Sequence, residues 1–202
     1  MDHEDIVELL ESKQYSKIKE EVEPMHEADI AEIFEDIEDP ALSLRFFRLL
    51  PKQQAAEVFA FLEPDVQQKL IERLTDTELA SVVGGMFLDD YVDMIEEMPA
   101  NVVQRIMKYS SAKNRSLINQ YLNYPDDTAG SVMTCEYVGF KSDLSVRDAF
   151  DVIRQTGVEK ETVYNCYVMD AQRRLLGVVS VLQLIMADQS KTVGEIMTDN
   201  PI

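Results

Sequence analysis

Cysteine is scarce in this chain of 202 residues, which contains only Cys135 and Cys166. Two cysteines are too few for the disulfide framework of a small secreted domain, so we expect a reducing cytosol. The first ten residues contain four acids and no basic stretch, which is not the pattern of a signal peptide. The longest mostly apolar stretch, Leu175 to Ala187, is 13 residues long and too short to cross a bilayer. The sequence therefore predicts no membrane-spanning segment in these residues.

Positive charge is also in short supply, because 19 basic residues face 38 acidic ones and the formal net charge is −19. This excess argues against nucleic acid or anionic lipid as the main partner. It is equally consistent with a cationic partner such as a metal ion and with the ordinary solubility of an acidic protein.

Histidine and catalytic motifs are sparse as well. His3 and His26 are isolated, with no cysteine or histidine nearby at the spacing of a metal site, so neither is predicted to bind a metal. The chain has no P-loop, no glycine-rich dinucleotide turn, no His-Glu-x-x-His sequence and no serine or cysteine nucleophile with its base. We therefore predict that the chain is not an enzyme.

Proline and aspartate recur at nearly regular intervals in the first two-thirds of the chain, mostly just after a large apolar residue. Proline is tolerated in the first turn of a helix and aspartate caps it, so each site predicts a helix start: Pro40, Pro51, Pro64, Asp76, Asp89 and Pro99. Between these sites apolar residues recur at helical spacing, as at Val58, Phe59 and Leu62. Because such short helices must stack to bury a face, we predict a short α-solenoid or superhelix from about Glu27 to Tyr121.

The apolar period changes after residues 123–127, whose proline and aspartates predict a boundary turn. Ser145 is placed to cap an amphipathic helix. The pattern then predicts strand, helix, strand, strand and helix, over residues 137–140, 145–155, 164–169, 175–179 and 181–187.

A short phrase occurs twice, as Ala129 to Thr134 and, 64 residues later, as Val193 to Thr198; each copy has a glycine, two residues and then Met-Thr. Internal repetition indicates that one module has ended and a second has begun. We therefore predict three regions, 1–124, 125–190 and 191–202, and expect that the chain is a piece of something longer.

The second region resembles a cystathionine-β-synthase (CBS) domain in Met133-Thr134, the helix start Ser145 to Ala149, Tyr167 to Asp170, and Leu176 to Ser180. The second Met-Thr would open a partner CBS domain. The resemblance implies a β-α-β-β-α fold and, because CBS domains normally work in pairs, self-association as a homodimer.

The whole chain resembles the cytosolic half of MgtE-type magnesium transporters. The similarity lies in Tyr124 to Thr134, in Leu50-Pro51 followed by Ala55 to Val58, and in Leu88 to Asp93. It implies a multidomain α + α/β protein, in which an all-α right-handed superhelix precedes the CBS domain. It also implies a Mg²⁺-sensing regulatory region at the cytoplasmic face of the cell membrane, which gates a membrane pore absent from this chain.

Asp89, Asp90 and Asp93 form the densest acidic group on a predicted helix start, and Asp89 and Asp93 share a face because they are four residues apart. Mg²⁺ prefers oxygen ligands and keeps several waters, so one or two carboxylates are enough to hold it. The alternative is structural: Asp89 as the helix cap, and Asp90 and Asp93 as acids that favour the helix dipole.

The resemblance matches Asp89 and Asp93 to sensing acids of the family. It also matches Glu57, whose alternative is an exposed acid on an amphipathic helix. A further ligand of the family is a backbone carbonyl on a glycine and falls here at Ser131.

CBS domains often bind adenine nucleotides through an acid that follows the Gly177 strand, but Gln183 stands at that position, so we predict no nucleotide site. We expect an apolar face that includes Val178 and Val179 to be exposed and to drive self-association. The alternatives to a Mg²⁺ sensor are a helical-repeat interaction scaffold with a CBS dimerisation module and a nucleotide-sensing CBS regulator.

Overall fold

The computed structural model describes residues 3–125, 127–157, 160–199 and 201, so Asp126 in the predicted boundary turn lies outside the described residues. The chain divides into two compact units, Met1–Met133 and Thr134–Ile202. The three predicted regions, with boundaries at residues 124 and 190, stay a prediction. None of the helices in the described residues is long and apolar enough to cross a membrane.

The first unit is helical, as its regular proline and aspartate sites predict. Its elements are α1 (His3–Glu11), α2 (Tyr15–Val22), α3 (Glu27–Ile33), a 3-10 turn (Phe34–Asp36), α4 (Pro40–Phe47), α5 (Lys52–Phe61), α6 (Pro64–Arg73), α7 (Asp76–Val83), α8 (Leu88–Glu97), α9 (Ala100–Tyr109) and α10 (Ala112–Tyr121). Each predicted start lies within one residue of an observed one. Two helices, α1 and α2, precede the predicted solenoid.

Some helix starts are capped by a side chain, and others follow a proline without a side-chain cap. Thr75 accepts a hydrogen bond from the backbone N–H of Glu78, whose side chain returns to the Thr75 backbone, so α7 begins with a capping box. Asp39 accepts from the backbone N–H of Ala41 at 2.9 Å and caps α4. At α5 and α9 the residue before the helix is Pro51 or Pro99, which provides no side-chain cap.

The helices pack mainly against the second helix along the chain, so that α3 contacts α5, α5 contacts α7 and α7 contacts α9. This is the stacking that short helices need to bury their apolar faces. Fully buried side chains of this core include Phe46, Phe59, Ile71, Leu79, Ile106 and Ile118.

Two polar side chains, one buried and one half-buried, connect the stacked helices. Gln67 is buried and donates to the carbonyl of Phe59 at 2.9 Å, near the end of α5. Arg105 of α9 donates to the carbonyls of Ile71 and Leu74, the second at 2.7 Å, and so satisfies the last turn of α6.

The second unit has the predicted order of strand, helix, strand, strand and helix. Its elements are β1 (Gly139–Lys141), α11 (Val146–Thr156), β2 (Asn165–Met169), β3 (Leu175–Ser180), α12 (Val181–Met186), α13 (Val193–Ile196) and β4 (Thr198–Asp199). The sheet order is β1-β2-β3-β4, with β1 parallel to β2 and the other neighbours antiparallel. As predicted, Ser145 caps α11 by accepting from the backbone N–H of Asp148.

The predicted exposure of Val178 and Val179 is wrong. Val179 is fully buried in the core of the second unit, and Val178 is half-buried on a strand that pairs with Thr198 of β4. The second copy of the repeated phrase therefore extends the sheet of the first module, which the sequence pattern could not reveal. The apolar residues that α12 exposes are instead Leu182, Ile185 and Met186, at 67%, 61% and 79% exposure.

Candidate functional site

The acidic group predicted at the start of α8 is present, but its helix cap is not the predicted one. Phe87, with an extended backbone and no side-chain cap, precedes the helix, and Asp89 is the second helical residue. The prediction of Asp89 as the N-cap is therefore wrong, because the helix begins one residue earlier at Leu88. Asp89 and Asp90 remain in the first turn, where the helix dipole favours negative charge.

Asp93 is an exposed acid of α8 whose carboxyl has lost part of its contact with water. Desolvation by the surrounding protein raises the pKa of its carboxyl above the usual value for aspartate. Among the described residues no hydrogen bond or salt bridge compensates that loss of water. An unpaired, partly desolvated carboxylate one helical turn from Asp89 is a position at which a bound cation would relieve an unfavourable charge.

Tyr91 is a residue of this helix that the sequence analysis did not single out. It is buried and its hydroxyl is hydrogen-bonded to Ser110, which lies after α9. Burial raises the pKa of the tyrosine hydroxyl. The signal for this anchor was the apolar spacing of Leu88, Tyr91, Val92 and Ile95, which marks the buried face of α8.

Glu57 lies on α5, which packs against α8. It is half-buried and accepts a hydrogen bond from the Gln53 side chain at 3.3 Å. A Cβ built on Gly85, in the turn before α8, would lie 2.9 Å from the Cβ of Ala56. The missing side chain at Gly85 therefore lets the chain that enters α8 approach α5 next to Glu57.

Ser131 lies in a tight turn at the end of the first unit. Its backbone N–H and its hydroxyl both donate to the carbonyl of Thr128, at 3.1 and 3.0 Å. The turn also needs Gly130, because a Cβ there would lie 2.5 Å from the ring of Tyr124. In the described part of the chain no three metal-ligating side chains converge in one cluster, so the predicted acids form pairs and single positions.

Comparison with known proteins decides the family. A model of the MgtE intracellular N domain matches residues 25–127, and a CBS domain model matches residues 129–190. The chain belongs to the MgtE family. The magnesium transporter MgtE of Thermus thermophilus is 30% identical over 194 residues, which are 94% of this chain and 43% of that protein. MgtE of Enterococcus faecalis is 35% identical over 85 residues, 42% of this chain and 19% of that protein.

The fold agrees with that assignment. A crystal structure of the cytosolic domain of the Mg²⁺ channel MgtE in complex with ATP matches with a TM-score of 0.87 and 28% identity, over 100% of this chain and 82% of that one. The chain thus consists of an MgtE N domain followed by a CBS domain. It spans less than half of the length of the full-length MgtE relatives reported above.

Gln183, at the position where nucleotide-binding CBS domains carry an acid, has a structural task here. Its side-chain carbonyl accepts from the backbone N–H of Ser180 at 2.7 Å, and the backbone N–H of Gln183 donates to the Ser180 hydroxyl at 3.1 Å. Its side-chain nitrogen lies 3.3 Å from the hydroxyl of Thr198. The bonds with Ser180 form the capping box of α12, so the Gln183 side chain is engaged within the protein.

Proposed function

We propose that this chain is the Mg²⁺-sensing regulatory region of an MgtE-type magnesium transporter or channel. The observation that carries the proposal is the pair Asp89 and Asp93, four residues apart on one face of α8, in a chain of the MgtE family. A Mg²⁺ ion that keeps most of its waters requires only one or two carboxylates, so a pair of this kind is sufficient as the first unit's contribution. Glu57 and the backbone carbonyl of Ser131 are the further ligands that we assign.

The distribution of charge supports an electrostatic mechanism. Residues 1–133 contain 28 of the 38 acids and 12 of the 19 bases, whereas residues 134–202 contain 10 and 7. The helical unit therefore carries most of the negative charge. At low Mg²⁺ this charge opposes closure of the two units, and ions that bind the closed arrangement more tightly shift the population towards it. Closure is then relayed to the membrane pore of the full-length protein, at the cytoplasmic face of the cell membrane.

The test is small-angle scattering of this chain with and without millimolar Mg²⁺. We expect Mg²⁺ to reduce the radius of gyration of the parent and to have little effect on the double variant Asp89→Asn, Asp93→Asn. Glu57→Gln should act in the same direction more weakly. The stability of the double variant without Mg²⁺ should change by less than about 1 kcal/mol, because asparagine keeps the shape of aspartate at one half-buried and one exposed position.

A matched control removes the same charge from another helix of the same unit. Glu8 and Glu11 are exposed on α1 and lie on a different helix from the proposed pair. The variant Glu8→Gln, Glu11→Gln should therefore keep the Mg²⁺ response. An equal response of the two double variants, or no response of the parent, contradicts the proposal, and the second result favours a helical-repeat scaffold.

Nucleotide sensing is a second candidate because the related MgtE cytosolic domain was crystallised in complex with ATP. The capping role of Gln183 opposes it for this CBS domain. We expect calorimetric titration with ATP or AMP to show no binding tighter than millimolar. A micromolar affinity would support nucleotide sensing and overturn that expectation.

A further inference from the structure

A cavity of about 220 Å³ opens at the surface of the first unit, between the end of α4, the start of α5 and the first turns of α7. Its apolar lining consists of Phe47, Leu50, Ala55, Leu74 and Val82. Lys52 and Ser81 also line it and are exposed, so the cavity opens to solvent. For comparison, an apolar cavity of roughly 150 Å³ accommodates a six-membered hydrocarbon ring.

The mouth of the cavity carries a cation in an otherwise acidic chain. Lys52 has no salt-bridge partner among the described residues. It is also the first residue of α5, a helix of ten residues whose preceding Pro51 provides no side-chain cap. The ammonium group and the positive end of the helix therefore both favour an anion at the mouth.

The other charged residues of the lining neutralise each other. The Nε and Nη2 of Arg48 donate to the two carboxylate oxygens of Glu78 at 2.7 and 3.0 Å. The backbone N–H and the hydroxyl of Thr75 donate to the same carboxylate at 2.8 and 2.9 Å. Because Glu78 is held by these donors, it does not cancel the charge of Lys52.

We propose that this cavity binds a small amphipathic carboxylate with about six to eight carbons. Its hydrocarbon chain would pack against Phe47, Leu74 and Val82, and its carboxylate would pair with Lys52. The size of the cavity limits the ligand, because drug-sized molecules need pockets of roughly 300 Å³ or more. This site is separate from the acids proposed to sense Mg²⁺, and it does not depend on that function.

The test is calorimetric titration of the full chain with octanoate, with octanol as the neutral analogue. We expect one saturable octanoate site with a Kd on the order of 0.1–1 mM, as befits a ligand of this size. Lys52→Gln should weaken octanoate binding at least about fivefold and abolish the preference over octanol. Ser81→Leu, which fills the cavity from an exposed position, should weaken both ligands at least about tenfold.

The matched control is Lys17→Gln, which removes another exposed lysine with no salt-bridge partner among the described residues. Its Kd for octanoate should stay within about twofold of the parent value. The absence of saturable binding overturns the proposal. So does parent-like affinity of either cavity variant, which would place the ligand elsewhere, for example on the exposed face of α12. Because Lys52 is exposed, Lys52→Gln remains a valid test even if Ser81→Leu fails to fold.

Discussion

At the scale of single residues, Glu78 joins two features of the first unit. Its carboxylate closes the capping box of α7 and also receives the bidentate hydrogen bonds of Arg48, which follows α4. The Arg48 hydrogen bonds, together with those from Thr75, lower the pKa of Glu78 from 4.5 to about 2. A lowered pKa means that the ionised form stabilises the fold, and that this contribution is lost as the pH falls from about 4.5 towards 2.

We predict that Glu78→Gln lowers the free energy of unfolding by less than about 1 kcal/mol at pH 7, because glutamine keeps the capping box and loses only a partly exposed ion pair. Glu78→Ala loses both and should cost about 1–2 kcal/mol. Urea unfolding at pH 7 and near pH 2.5 measures these differences. The gap between parent and Glu78→Gln should narrow at the lower pH, and a gap that stays constant would contradict the role of the ion pair.

At the scale of secondary-structure elements, the helical unit depends on side chains that satisfy helix ends. Arg105 of α9 donates to two carbonyls near the end of α6 and lies 3.3 Å from the carboxylate of Asp76, at the start of α7. One guanidinium therefore connects three helices. A lysine cannot copy this arrangement, because its ammonium group is a point charge without the planar fork.

We predict that Arg105→Lys lowers the free energy of unfolding by about 1–2 kcal/mol, since partly buried carbonyls would lose their donors. The control is Arg115→Lys, because Arg115 is exposed and its hydrogen bond to the carbonyl of Met107 is long, at 3.5 Å. That variant should change the stability by less than about 0.5 kcal/mol. Equal effects of the two substitutions in chemical denaturation would show that Arg105 does not hold the helix ends together.

At the scale of the whole molecule, the exposed apolar face of α12 is the surface through which we expect the chain to self-associate. Leu182, Ile185 and Met186 are spaced three and four residues apart and lie on one side of the helix. Their exposure, from 61% to 79%, is high for large apolar side chains grouped on one face.

We predict that the parent chain shows a concentration-dependent mass in analytical ultracentrifugation, and that Ile185→Gln with Met186→Gln shifts it to a monomer. Because both side chains are exposed, the fold should be retained, which thermal unfolding checks. Phe61→Gln is the control and should leave the mass as in the parent, because Phe61 is an exposed apolar residue of the helical unit, at 57% exposure. A parent that remains monomeric at high concentration contradicts this expectation.

Local sequence patterns determined most of the helices, most strands and the order of the two modules. Proline and aspartate mark helix starts through effects that act within one turn, so Pro40, Pro64 and Asp76 begin helices as predicted. The position of Asp89 was misjudged by one residue, because Phe87 takes the cap position without any side-chain bond. The spacing of Asp89 and Asp93 already placed both on one helix face.

Tertiary structure alone decided which surfaces are buried and which charges are compensated. The burial of Val179 and the pairing of β3 with β4 depend on contacts between residues distant in the sequence, which no local pattern specifies. The same is true of Asp93, whose raised pKa comes from the protein packed around it. The cavity beside Lys52 likewise exists because helices separated along the chain come together, and a cavity of this kind has no signature in the sequence.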